Sequence, residues 1–112
     1  MQEYQIRVYV KPNGKIPFEH WFSKLDRKVK YKVELRLDRV ENGNFGDCKC
    51  LGDGLWELRM TGSAGYRIYI SILGVNTVLI VCAGNKATQQ KDISKAKYYL
   101  IQYFNEQLGN IW

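Results

Sequence analysis

The sequence predicts an α+β fold with helices laid against an antiparallel sheet, in the order β-α-α-β-β-β-α. Three observations carry this expectation. Between Leu55 and Cys82, three short runs of strand character are separated by turn residues, the pattern of a meander. Between Pro17 and Glu41, apolar residues recur at helical spacing, and they do so again between Thr88 and Gln107. A lone alternating run near the amino terminus supplies the remaining strand.

A chain of 112 residues is long enough for one domain with a real core and too short for two, so residues 1–112 are read as a single domain. The 17 Lys and Arg against 11 Asp and Glu give a net charge of +6, which suits an anionic partner such as nucleic acid or an acidic protein. No apolar run is long enough to span a bilayer and no signal-peptide pattern opens the chain, so a cytoplasmic protein without a membrane role is expected. Cys48, Cys50 and Cys82 are odd in number and lack Cys-x-x-Cys spacing. With His20 as the only histidine, neither a metal site nor a cofactor is expected.

The first strand runs from Glu3 to Val10, where Tyr4, Ile6, Val8 and Val10 alternate with Gln5, Arg7 and Tyr9. Pro12-Asn13-Gly14 makes a turn. Pro17 then opens a short helix to Leu25, with Phe18, Trp21, Phe22 and Leu25 as its apolar stripe and His20 on its polar side. Asp26 caps a second helix from Arg27 to Glu41 that buries Val29, Val33, Leu37 and Val40. Its basic residues, Lys28, Lys32 and Arg36 among them, form a candidate track for RNA or a ribonucleoprotein. Residues 44–54 read as a loop. After the third meander strand, Thr88 caps a last helix that reaches about Gln107, with Gly109 as its stop, and carries Lys91 and Lys95 on its exposed side.

The meander also places candidate chemistry. In its first strand Trp56, Leu58 and Met60 alternate with Glu57 and Arg59; in its second, Tyr66, Ile68 and Ile70 alternate with Arg67 and Tyr69. If the apolar sets share a core, Arg59 and Arg67 point together to the opposite, open face. Two guanidiniums held close make sense when an anion, Glu57 or a phosphate, lies between them.

Gly43-Asn44-Phe45-Gly46-Asp47, Glu57-Leu58-Arg59, Gly65-Tyr66-Arg67-Ile68-Tyr69 and Cys82-Ala83-Gly84-Asn85-Lys86, followed by Gln89-Gln90-Lys91-Asp92-Ile93 with Ala96-Lys97, resemble the phage-derived, HigB-like branch of the RelE/ParE toxin superfamily in order and spacing. The resemblance implies a RelE-like fold and the toxin of a type II toxin–antitoxin pair. It further implies cleavage of messenger RNA on the ribosome by 2′-OH attack on the adjacent phosphate, with neither metal nor cofactor. The implied partners are the ribosome, its message and a cognate antitoxin, often a small helix-turn-helix protein.

Such a reaction needs a base, stabilisation of the phosphorane and an acid for the leaving oxygen. The candidate catalytic residues are Arg59 and Arg67 as phosphate clamp, Lys86 and Lys91 as cations or proton carriers, Glu57 as orienting group or base, and Tyr69 as stacking platform or proton donor. Lys28, Lys32, Arg36 and Lys95 are the candidate RNA-binding residues. The tail from Gly109 to Trp112 carries no counterpart of the tyrosine or histidine found near the carboxyl terminus of better-understood RelE-type enzymes. A ParE-like gyrase poison on the same fold, and a non-catalytic binding remnant, are the alternative functions.

Overall fold

A computed structural model describes residues 3–109. The alternation in the meander forms three strands, β3 (Leu55–Arg59), β4 (Arg67–Leu73) and β5 (Thr77–Gly84), joined as antiparallel hairpins. They are the centre of a five-stranded sheet whose edges are β1 (Gln5–Val8) and β2 (Cys48–Gly52). The helices are α1 (Pro17–Ser23), α2 (Arg27–Glu41) and α3 (Gln89–Gly109), with one 3-10 turn (Lys86–Thr88) leading into α3. Residues 110–112 of the tail lie outside the described residues.

Two features correct the expectation of a four-stranded antiparallel sheet. First, β1 runs parallel to β5, Gln5 opposite Thr77, so the sheet is mixed with order β1-β5-β4-β3-β2. Strand periodicity identifies a strand but fixes neither its neighbour nor its direction. Second, the segment read as a loop contains β2, paired antiparallel with β3. Cys48-Lys49-Cys50-Leu51-Gly52 lacks β-branched residues and clean alternation, and the open edge of β3 supplies the partner that its own sequence does not announce. The β2–β3 turn holds Gly52, Asp53 and Gly54 all at positive φ, and Asp53 is the one non-glycine in that region among the described residues.

Both faces of the sheet are covered. Asp26 caps α2 by accepting from the Val29 amide at 3.0 Å. The stripe of α2 packs Val33 and Val40, with Phe18 of α1, onto Leu58, Ile68, Ile70, Val78 and Ile80. On the other face Ala96 and Leu100 of α3 pack against Leu55, Tyr69, Leu79 and Val81. A bulge between Tyr69 and Ile70 leaves Val81 as an extra residue on β5, so Val81 and Cys82 both join the α3 side. The face expected to be open is therefore roofed by α3 and opens only at its end.

That end gathers the functional candidates for a topological reason. The parallel β1–β5 pair sends the β1–α1 connection to the same end of the sheet as the close of β5. Arg59 at the end of β3 and Arg67 at the start of β4 meet there, and α3 starts there.

Arg36 departs from its place in the basic track. It is 6% exposed, and it donates from Nε to the Arg59 carbonyl at 3.1 Å and from Nη2 to the carbonyls of Phe45 and Asp47. Burial lowers its pKa. It pins the 42–47 connection to the end of β3 and is not available to RNA. Arg36→Met is expected to lower folding stability by about 3 kcal/mol, because one buried charged donor no longer joins the carbonyls of Phe45, Asp47 and Arg59. Urea unfolding of the variant measures the loss.

Candidate functional site

Glu57 and Arg59 share a face of β3 because they are two residues apart, and the register sets Arg59 opposite Arg67 and Glu57 opposite Tyr69. The Glu57 carboxylate is fully buried. Its Oε1 accepts from Arg59 Nε at 3.0 Å, and its Oε2 accepts from Gln89 Nε2 at 2.9 Å and lies 3.6 Å from Arg67 Nε. One carboxylate thus holds two guanidiniums from adjacent strands and the first residue of α3. Like charges directly opposite on a sheet repel, and the shared anion offsets that repulsion.

The guanidiniums are oriented without being consumed. Arg59 binds Glu57 through Nε, its side chain is 37% exposed, and its Nη groups have no hydrogen-bond partner among the described residues. Its hydrogen bond to Glu57 raises its pKa, so it is cationic throughout the physiological range. Arg67 is more enclosed and donates from Nη1 to the Gly65 carbonyl at 2.7 Å. Two arginines against one carboxylate leave a net positive charge, and the exposed Lys86 adds to it. A Cβ placed on Gly65 (φ +62) would lie 2.9 Å from Lys86 Cβ and 3.1 Å from Arg67 Nη1. The glycine lets the turn fit between these two side chains.

Not all expected members join this cluster. Tyr69 is fully buried beneath α3, and its hydroxyl has no partner among the described residues. Burial first, then Glu57 and Asp92, raise its pKa, so it remains a neutral phenol. It cannot stack on a base, and its role is to wall the pocket that holds Glu57. Glu57 itself is no free base, since both oxygens are occupied. Lys91 is exposed and sits about 200° around α3 from Gln89, facing away from the sheet.

The basic residues of α2 divide. Lys32 and Arg39 line a cleft of about 250 Å³ together with Arg59, and Lys28 shares their helix face. With Arg36 buried, this shorter ridge of Lys28, Lys32 and Arg39 leads to Arg59. Lys95 lies on α3 across the sheet, in a separate cleft with His20 and Tyr99. Gln89 and Arg39 were not singled out as site residues from sequence. Gln89 belongs to the Gln89-Gln90-Lys91-Asp92-Ile93 motif, the one signal that marks it.

Among the described residues no group of three or more His, Cys, Asp or Glu could hold a metal ion, and no helix is long and apolar enough to cross a membrane. Cys82 is 6% exposed, and burial followed by the nearby Asp92 pushes its thiol up to about 12. Because the folded pKa is raised from 9.0, its contribution to stability is full below pH 9 and is lost as pH rises towards 12. Cys82→Ala is expected to flatten the fall of thermal stability in that window. At pH 8, iodoacetamide is expected to label exposed Cys50 well before Cys82, read by peptide mass spectrometry.

Similarity to known sequences covers the same region. A family model described as phage derived protein Gp49-like (DUF891) matches residues 20–101, a span that includes Glu57, Arg59, Arg67, Lys86 and Gln89. An uncharacterized protein of Haemophilus influenzae strain Rd is 42% identical over 83 residues, covering 73% of this chain and 84% of that protein.

Proposed function

This chain belongs to the phage-derived Gp49-like family, and from that premise we propose that it is the toxin of a type II toxin–antitoxin pair, a cytoplasmic endoribonuclease that cuts messenger RNA on the ribosome. The observation that carries the reading is the pair of arginines set opposite each other on β3 and β4 and oriented by one buried carboxylate. The ordered motifs that resemble HigB-like toxins of the RelE/ParE superfamily add to it.

The scissile phosphate sits against the free Nη groups of Arg59 and beside the more enclosed Arg67, where charge develops in the phosphorane. As the ribose 2′-oxygen bonds to phosphorus its proton passes to solvent water, the bond from phosphorus to the 5′-oxygen breaks, and a cyclic phosphate and a 5′-OH end remain. Lys86 is the exposed cation beside Arg67 and supplies a proton to the departing oxygen. Glu57 and Gln89 act as positioning residues, because they touch the arginines and not the RNA. The Lys28, Lys32 and Arg39 ridge carries adjoining phosphates. A cognate antitoxin, in this reading a small helix-turn-helix protein, neutralises the toxin by covering this sheet end.

The test is a purified translation system programmed with a defined message. New 5′-OH ends inside ribosome-bound messages are the expected result. Intact messages with folded protein overturn the proposal. Gyrase inhibition that survives Arg59→Ala with Arg67→Ala would instead establish a ParE-like poison.

A further inference from the structure

A second opening lies beside the arginine cluster, and the mechanism above makes no use of it. It is a cleft of about 720 Å³ between the β1–α1 connection, α1, the end of β5 and α3. Trp21 of α1 and Tyr99 of α3 are among its walls, Lys11, Lys15 and Lys95 are its cations, and Cys82 and Ala83 belong to its floor. We propose that this cleft is a nucleotide subsite, which receives the base and phosphate of a nucleotide flanking the RNA linkage held by Arg59 and Arg67. In its orientation of the RNA the proposal rests on the ribonuclease reading.

The size is right for a nucleotide, since pockets for small ligands span about 300–1,000 Å³. The walls are preorganised. Tyr99 stacks on the buried Tyr9 ring at 5.3 Å and 28°, so it is braced from behind. Trp21 is braced by Phe18 at 5.8 Å and meets Tyr66 edge-on at 5.9 Å. Both aromatic residues remain half-exposed. Fixed π faces that stay partly in solvent are what single-stranded bases stack on.

The cations are also placed by the fold. The Lys11 amide donates to the Lys15 carbonyl at 2.8 Å and the Gly14 amide to the Lys11 carbonyl at 2.8 Å, so a tight turn brings the two lysines together. Lys11 Nζ stands 5.9 Å from the centre of the Tyr99 ring, which puts a phosphate-binding group next to a stacking surface. Lys95 adds its charge from α3. Of the two acids in the lining, Asp92 already accepts from the Thr88 hydroxyl.

The cleft leads to the cluster. Ala83 precedes Gly84, the register partner of Arg67, and the Trp21 ring contacts Tyr66, the residue before Arg67. In the proposal, a strand of RNA whose phosphate is held by Arg67 lays its neighbouring nucleotide into this cleft. An acidic peptide would satisfy the lysines and leave both aromatic faces unused, which is why a nucleotide is the better occupant.

The experiment is a titration of the full chain, followed by NMR, with each nucleoside 5′-monophosphate and with ribose 5-phosphate as the baseless control. Expected are shifts at the Trp21 indole, Tyr99 and Lys95, with a preferred nucleotide binding about tenfold more tightly than ribose 5-phosphate, the scale of one base stacked on an aromatic side chain. Lys15→Ala with Lys95→Ala is expected to weaken binding about tenfold. Absence of these shifts, equal binding of ribose 5-phosphate, or binding of a glutamate-rich peptide with none of nucleotides would overturn the proposal. Nucleotide binding alongside intact messages keeps the subsite and removes the nuclease reading; message cleavage without nucleotide binding does the reverse.

Discussion

Glu57→Ala is expected to remove about 3–5 kcal/mol of folding stability, the cost of deleting one partner of a buried, hydrogen-bonded ion cluster. Small domains have about 5–15 kcal/mol in total, so the loss should be visible as a large fall in the urea midpoint. The reason is local. Glu57 is fully buried, accepts from Arg59 and Gln89 and pairs with Arg67, so its removal leaves the Arg67 charge without its counter-ion and the Gln89 amide without its acceptor, and sets two cations opposite each other. Combining Glu57→Ala with Arg59→Ala and Arg67→Ala should recover part of the loss, since no unpaired charge then remains; a mutant cycle measures that coupling. A change below about 1 kcal/mol in Glu57→Ala would mean that the cluster is peripheral to the fold.

Arg67→Ala is expected to slow RNA cleavage by about 10²–10³-fold, the usual effect of removing one preorganised donor from a developing oxyanion. Arg59→Ala should fall in the same range. The two effects should not add, because both arginines pair with Glu57 and act on the same phosphate. Lysine at either position should rescue poorly, as a point charge cannot bind the carboxylate through Nε and the phosphate through Nη at once. The measurement is the rate at which 5′-OH ends appear in ribosome-bound messages. Losses smaller than about tenfold, or 1.4 kcal/mol of barrier, would remove the arginines from the chemistry.

The helical stripe of α2 was legible because Val29, Val33, Leu37 and Val40 repeat with the period of the helix. The convergence of Glu57, Arg59 and Arg67 was equally legible, since alternation and a short hairpin together fix which side chains share a face. β2 was not legible, because its ladder is supplied by β3 and not by its own propensity. The direction of β1 was not legible either, as no local pattern encodes a neighbour from the far end of the chain. Arg36 left a signal that went unread: it lies one position short of Leu37 and two turns from Val29, at the margin of the apolar stripe. The burial of Tyr69 beneath α3 was not legible, because the meander alone does not say which face α3 will cover.

The pairing of β1 with β5 has a consequence during synthesis. Gln5 meets Thr77, a separation of 72 residues (77 − 5), and β1 has no other strand neighbour among the described residues. Its backbone therefore stays unmatched on the growing chain until β5 has left the ribosome, and closing so wide a loop is entropically slow. Gln89, which completes the Glu57 cluster, emerges later still. The site that we assign to cutting messages is thus assembled only once the whole segment from β1 to the start of α3 has been made.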